Sequence, residues 1–359
     1  MSEFINIVEP TLTNEAGHCF SLINNLVKTE GVAQFSIWAN AKASINFEAY
    51  SRVSLSKYFH RRIRKIQCFL LYKRLLKTKN KIFISTAGML DLALFAFIAK
   101  EVLPPKQVYF YFHWINNEED KLARLKKIAQ KQPNLMILGT TKSVVDVFKK
   151  AGFSHAKLAP YPISIPEQNT PLKLINFSKV LVAGAARQDK GFSNVVDLVD
   201  YLATIKAEIP FYIQSSSEHL NKSEAKTQLD IARLKRIEYQ KLTICEKTLS
   251  EIDYLNLFPG SICLQPYDAK AFSDRVSGVT LDSLMAGSPV VTTANTWIAK
   301  CIQRFDAGIV LNSNTPNEIA AALNTIIRDY DFYAKNAKNA SLTLQSENDA
   351  SQLLSAILN

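Results

Sequence analysis

The chain has 359 residues, 47% of them apolar, and carries 43 Lys and Arg against 32 Asp and Glu, a formal net charge of +11. Two buried cores, and two domains of ordinary size, fit that length better than one. The five cysteines, Cys19, Cys68, Cys245, Cys263 and Cys301, are odd in number and form no C-x-x-C pair, so they read as buried free thiols in a reducing compartment.

The N-terminal MSEFINIVEP is acidic and reads as a first strand rather than a signal peptide. A loop from Glu9 to Gly17 follows, and His18 opens a helix. FSIW is the next strand. From Ala49 to Leu90 there are eleven Lys or Arg residues and no acid. Within that stretch Lys57 to Lys77 repeats apolar residues at helical spacing, Phe59, Ile63, Ile66, Leu70 and Leu71, flanked by Arg61, Arg62, Lys65, Lys73 and Arg74. Such a basic amphipathic helix suits an anionic membrane surface, and it suits the solvated face of a core helix equally well. The run lacks a helix-turn-helix, RNP or Cys/His pattern, so no specific nucleic-acid partner is expected. KIFIS is a strand, and the apolar stretch Met89 to Ala99 is too short to span a bilayer and contains Asp91. QVYFY is a buried strand with His113 at its carboxyl end, where open parallel sheets place ligands; a satisfied polar residue at a strand end is the alternative. LMILG closes the half. The Pro-punctuated Pro160 to Pro166 marks the seam between residues 1–165 and 166–359.

The second half opens on a buried strand, Lys179 to Gly184, a loop, Ala185 to Gly191, and an amphipathic helix from Phe192. FYIQ, LTICE, ICLQ, PVVTT and GIVL supply further strands, and their alternation with helical patterns argues for parallel sheets covered by helices. The segment Leu264 to Val291 places Asp274 and Asp282 eight residues apart around a strand-to-helix turn, with Ser277-Gly278 opening the helix. Orphan backbone N–H groups and the helix dipole attract an anion there, and Asp282, about one turn into the helix, can accept hydrogen bonds from hydroxyls of the molecule that carries it. Phosphate with hydroxyls suggests a nucleotide-sugar. Read blandly, Asp282 solvates an ordinary helix and Asp274 is a loop acid. No zinc spacing, Walker loop or G-x-S-x-G elbow is present.

The Asp274-x7-Asp282 element with its Gly-Ser-Pro-Val-Val tail resembles the Glu-x7-Glu signature of retaining glycosyltransferases of the GT-B fold, family 4 and its relatives, with Asp in both places. The strand, Arg187, Lys190-Gly191 element resembles the family's Gly-Arg, Glu-Lys-Gly element, whose Arg commonly falls where this chain has Ala185. The resemblance implies two facing Rossmann-like doubly wound domains: an N-terminal acceptor-side domain carrying the basic helix, and a C-terminal donor domain whose last helix is a candidate to pack back on the first. It implies a nucleotide-sugar donor, UDP- or GDP-linked, as substrate, with no cofactor and no metal. Arg187 and Lys190 neutralise its diphosphate, and Gly191, Ser277, Gly278 and Val279 line the same site. Asp274 orients the donor sugar, Asp282 meets the ribose, and His113 contacts the transferred sugar as the second catalytic candidate. In the relatives a Gly-rich loop shapes the cleft where Gly17 and His18 lie; His18 is a candidate for a phosphate or acceptor hydroxyl and equally a surface histidine. A glycan or lipid-linked acceptor of bacterial cell-surface polysaccharide or glycolipid synthesis follows, with a cytoplasmic location peripheral to the inner leaflet of the plasma membrane.

Two other readings share these residues. A noncatalytic sugar-nucleotide or carbohydrate-binding assembly module would keep the fold without turnover, and the two Glu-to-Asp departures fit it. A sugar-nucleotide epimerase would need carboxylates and histidines in its cleft, and of the five histidines only His18 and His113 are well placed.

Overall fold

The computed structural model describes residues 3–15, 18–29, 33–115, 119–163, 175–216 and 225–359, the side chain of residue 251 excepted. The chain divides into two compact units, Met1–Ile165 with Glu347–Asn359, and Pro166–Ser346. Each is a Rossmann-like parallel sheet covered by helices.

In the first unit β1 (Phe4–Val8), β2 (Gln34–Asn40), β3 (Val53–Phe59), β4 (Lys81–Ile84), β5 (Val108–Phe112), β6 (Met136–Gly139) and β7 (Ala156–Leu158) alternate with α1 (His18–Lys28), α2 (Arg64–Leu75), α3 (Met89–Ile98), α4 (Glu119–Lys131) and α5 (Lys142–Lys150). The strand order is β3-β2-β1-β4-β5-β6-β7, parallel throughout. All five residues of β5, VYFYF, are buried, as expected of a strand with helices on both faces.

The second unit contains β8 (Lys179–Val182), β9 (Phe211–Gln214), β10 (Leu242–Cys245), β11 (Ser261–Gln265), β12 (Val290–Thr293) and β13 (Gly308–Leu311). They alternate with α6 (Phe192–Thr204), α7 (Ala225–Leu234), α8 (Glu251–Leu255), α9 (Gly278–Met285), α10 (Trp297–Phe305), α11 (Pro316–Arg328) and α12 (Tyr330–Glu347). The order β10-β9-β8-β11-β12-β13 is again all parallel. The last helix, α13 (Ala350–Leu358), belongs to the first unit, where it packs on α1 and the Leu358 carbonyl accepts from Lys81 Nζ at 3.2 Å. In each sheet the order reverses once, between β1 and β4 and between β8 and β11. Adjacent loops at the carboxyl ends diverge to opposite faces there and leave a crevice.

The expected basic helix is corrected. Lys57 and Phe59 lie on β3, an edge strand, and α2 begins only at Arg64. Phe59, Ile63, Ile66 and Leu70 fit helical spacing by accident, because the turn at residues 60–63 interrupts it. Gln67 pins that turn: its Nε2 donates to the Tyr58 carbonyl at 2.7 Å and its Oε1 accepts from His60 N at 2.7 Å. The face of α2 that enters the core is Cys68, Leu71, Tyr72 and Leu75, while Ile63, Ile66 and Leu70 stand 49%, 62% and 53% exposed. Tyr72 in turn donates to Asp91 Oδ1 at 2.6 Å, and Asp91 Oδ2 accepts from Gly88 N at 2.8 Å. The acid inside the apolar stretch is thus the cap of α3, held by a buried tyrosine.

This division of α2 is directly measurable. Leu71→Ala should destabilise the first unit by about 2–5 kcal/mol through the cavity it leaves, whereas Ile66→Ala should stay within about 0.5 kcal/mol of wild type. Urea unfolding of both variants checks it, and similar losses in the two would return Ile66 to the core.

Candidate functional site

A cluster of charged side chains lies at the switch point of the second unit, where the loops leaving β8 and β11 meet the start of α9. Gly184, just past β8, has φ +90°, and its N–H donates to Gln214 Oε1 at 2.7 Å. A Cβ at Gly184 would sit 2.9 Å from Lys190 Nζ, so the missing side chain is the space the ammonium fills. Residues Gln188–Lys190 form a 3-10 turn that ends at Gly191, with φ +70°. A Cβ there would lie 1.9 Å from the Pro266 carbonyl oxygen, so only glycine lets the two loops press together. Asp268 N donates to the Asp189 carbonyl at 3.0 Å and ties them.

Lys190 is partly buried with its Nζ 5.6 Å from the centroid of Tyr267. Loss of water, and secondarily Arg187, push its ammonium down to about 8 from an ordinary lysine value, with Arg275 acting in the same direction and Asp189 opposing. Arg187 pairs with Asp189 Oδ2, and Arg275 Nη1 approaches the same oxygen at 3.6 Å. Tyr267 is buried against Phe272, ring centroids 4.6 Å apart, and its hydroxyl pairs with Ser277. Ser277 caps α9, its Oγ accepting from Thr280 N at 3.3 Å. Gly278 and Val279 are the first residues of the helix, where backbone N–H groups have no intrahelical acceptor. A side chain at Gly278 would meet nothing within 4 Å, and Val279 Cγ2 is 3.9 Å from the vacant Cβ position of Gly184. The helix start therefore opens onto space beside the lysine.

Asp282, one turn along α9, accepts from Tyr254 Oη at 3.1 Å. Burial, reinforced by Asp282, holds that phenol well above its usual value, so it remains a donor. Asp274 is partly buried on the loop between β11 and α9. Of the residues proposed from sequence, the structure brings Arg187, Lys190, Gly191, Ser277 and Val279 together, with Gly278 beside Val279 and Asp282 on the same helix. Asp189, Tyr254, Tyr267 and Arg275 were not singled out. Arg275 was visible as a cation adjoining Asp274, but nothing local tells that it reaches Asp189, 86 positions back.

In the first unit His113 follows β5 and its Nε2 is 2.9 Å from the Ser85 carbonyl, with Thr140 Oγ1 donating to its own carbonyl at 2.8 Å. Its ring lies 6.0 Å from that of His18, at the start of α1, and Tyr161 Oη donates to the His18 carbonyl at 2.8 Å. Below them Glu9 is fully buried and accepts from Ser85 Oγ at 2.8 Å and from Thr11 Oγ1 at 2.5 Å. The two histidines thus meet at the β1/β4 switch point. Gly17 lies outside the described residues. Arg61, Arg62, Lys65, Lys73 and Arg74 are exposed on α2 and the turn before it, the Arg74 guanidinium 5.4 Å from the Trp38 ring. No helix of the described residues is long and apolar enough to cross a membrane.

No family model and no curated protein matches the sequence. Solved structures do match over nearly the whole length. Anabaena Alr3699/HepE in complex with UDP and glucose superposes with a TM-score of 0.67 at 15% identity, over 99% of this chain and 98% of that one. Sucrose-phosphate synthase from Thermosynechococcus elongatus gives 0.69 at 13% identity, over 99% and 96%. WaaG, a glycosyltransferase involved in lipopolysaccharide biosynthesis, gives 0.66 at 12% identity, over 99% of both chains. These neighbours are GT-B glycosyltransferases, and the chain has their fold: two parallel-sheet Rossmann-like domains of seven and six strands.

An anion bound beside Lys190 would be held in a pH-dependent way. A bound anion favours the charged ammonium and raises its pKa, so the lysine's contribution to pyrophosphate affinity, once the ligand's own ionisation is subtracted, should be flat below pH 8 and fall above it, approaching tenfold per pH unit. Folding responds oppositely: a lowered lysine pKa costs stability below about 8, and the cost fades as pH rises toward the ordinary value of 10.5. Calorimetric titration across pH 6.5–10 reads the affinity, and a profile without a break near 8 would remove Lys190 from the anion site.

Proposed function

We propose that the chain transfers a sugar from a nucleotide-sugar donor to a glycan or lipid-linked acceptor with retention of the anomeric configuration. The observation that carries this reading is the pairing of Lys190 with the open start of α9 at the β8/β11 switch point. When the bond between the anomeric carbon and the phosphate oxygen breaks, charge accumulates on the departing nucleoside diphosphate. Lys190, Arg187 and the Gly278 and Val279 amides meet it with donors already in place. Asp282 takes a ribose hydroxyl and Asp274 a hydroxyl of the sugar. His113 and His18, in the first unit, serve the transferred sugar and the acceptor. The solved complexes of Alr3699/HepE with UDP and with UDP-glucose favour a UDP-linked hexose over a GDP-linked one. In this role the first unit is the acceptor domain and the second the donor domain.

Removing one charge-assisted phosphate contact costs roughly 1.5–3 kcal/mol. Lys190→Ala should therefore lower donor affinity or turnover at least tenfold in a folded protein. Asp282→Asn should mainly raise the donor Michaelis constant, and Asp274→Asn should lower turnover. Donor consumption assayed with UDP- and GDP-sugars decides it, and a Lys190→Ala protein of normal affinity and turnover would sink the donor site. Tight donor binding without turnover under any acceptor would instead favour the noncatalytic module, which the short aspartates also suit. Sugar interconversion without transfer would favour the epimerase.

The lipid-linked form of the acceptor is supported by the surface of α2. Arg61, Arg62, Lys65 and Lys73 surround the exposed Ile63, Ile66 and Leu70, and Phe97 on α3, 72% exposed, stands 6.3 Å from the ring of Phe69. Apolar side chains among cations are the complement of an anionic bilayer, each cation contributing about 1 kcal/mol. The protein should sediment with anionic vesicles and not with neutral ones. Reversing those four charges to Glu should abolish it, whereas Arg74, spent on Trp38, should contribute less than the others. Continued sedimentation of the folded charge-reversed protein would exclude electrostatic docking.

A further inference from the structure

Arg275 lies on the loop into α9, one residue after Asp274. Its guanidinium carbon is 5.0 Å from the centroid of the Phe272 ring, and that ring packs on Tyr267, the partner of Lys190. Its Nη1 is 3.6 Å from Asp189 Oδ2, longer than a charge-assisted hydrogen bond of about 2.7–2.9 Å. Arg187 engages the same oxygen. Three cations from two loops, Arg187, Lys190 and Arg275, therefore converge with Asp189 as the carboxylate common to all of them. Burial is the main force lowering both Lys190 and Arg275, and the cations add to it: Arg187 pushes both down further, and Arg275 adds to the push on Lys190. Packing like charges into a half-buried place costs free energy in the unliganded protein. The cost is released when an anion of two or more charges enters.

We infer that Arg275 is a third phosphate-binding cation of this site, and that a diphosphate displaces its contact with Asp189. The inference rests on the donor reading above and adds to it. Stacking on Phe272 holds the guanidinium plane while leaving its N–H groups able to turn from one acceptor to another, which a lysine ammonium in that place would do without the planar fork. Asp189 then acts as a placeholder: it keeps the two arginines side by side before the ligand arrives and competes with the phosphate afterwards. The third cation offsets what the shorter Asp274 and Asp282 side chains fail to reach, moving donor recognition from the sugar and ribose toward the phosphates.

The test is calorimetric titration of the full chain with inorganic pyrophosphate, and with uridine and guanosine as phosphate-free probes, for wild type, R275Q and K190Q. R275Q should weaken pyrophosphate roughly 10- to 100-fold, the loss of one charge-assisted contact, while leaving nucleoside affinity unchanged. K190Q should show the same pattern. Wild-type pyrophosphate affinity in R275Q beside a loss in K190Q would overturn the role of Arg275 and leave the donor site standing. Wild-type affinity in both, or no pyrophosphate binding by the unaltered chain, would overturn the donor site itself. A parallel loss of pyrophosphate and nucleoside in R275Q would make Arg275 a scaffold of the loop and also overturn the inference. Should R275Q fail to fold, R275M keeps the contact with Phe272 and is titrated in its place.

Discussion

Lys190 gives up water to lie between a backbone with no Cβ at Gly184 and the ring of Tyr267, and its charge is correspondingly hard to keep. Much of the second unit's local geometry follows from holding it there. Gly191 removes the side chain that would separate the β8 loop from Pro266, and without that close approach Tyr267 could not come under the ammonium. Tyr267 in turn fixes Ser277, and Ser277 caps α9, so the helix start and the lysine are positioned through one ring. The like charges of Arg187, Lys190 and Arg275 are offset by Asp189, which pairs with Arg187, lies 3.6 Å from Arg275 and favours the charged form of Lys190.

Sequence patterning revealed the strongly apolar elements because a strand buried on both faces carries a continuous apolar run, as in VYFYF and the Ile-Cys-Leu centre of β11. It failed where burial is one-sided or the element is short. VSLSKYF in β3 alternates weakly at a sheet edge, and its Phe59 happens to continue the spacing of α2; β7 has three residues and no signature at all. The cost of that error fell on the membrane-facing reading of α2. The residues assigned to one apolar side prove to be divided between the core, at Leu71, and solvent, at Ile66 and Leu70.

At the candidate site, what was legible was type and local spacing: cations before Gly191, a small-residue helix start, two acids around it. What was not legible was pairing across loops. Tyr254 and Asp282 are 28 positions apart, on the helices before and after β11, and Asp189 and Arg275 are 86 apart and meet because β8 and β11 are neighbours across the reversal of strand order. The same reversal explains Glu9 and Ser85, which meet where β1 and β4 adjoin. Buried polar pairs of this kind must be satisfied by a partner that topology alone supplies.

The shortness of Asp282, set against the glutamate of the signature this stretch resembles, acquires a physical reading from Tyr254. A carboxylate set back by one methylene on α9 falls short of a ligand that a glutamate would touch, unless something holds it outward. The buried phenol does part of that: donating to Asp282 Oδ2 at 3.1 Å, it holds that oxygen in place. Burial keeps the phenol protonated across the neutral range, so it remains a donor near pH 7. A pre-oriented short acid loses less side-chain entropy on binding than a mobile long one, so reach is exchanged for order. Under the proposed donor reading the weight of recognition would shift toward the phosphates, where Arg275 would add a third cation, and the acid pair would select hydroxyl geometry rather than supply most of the affinity.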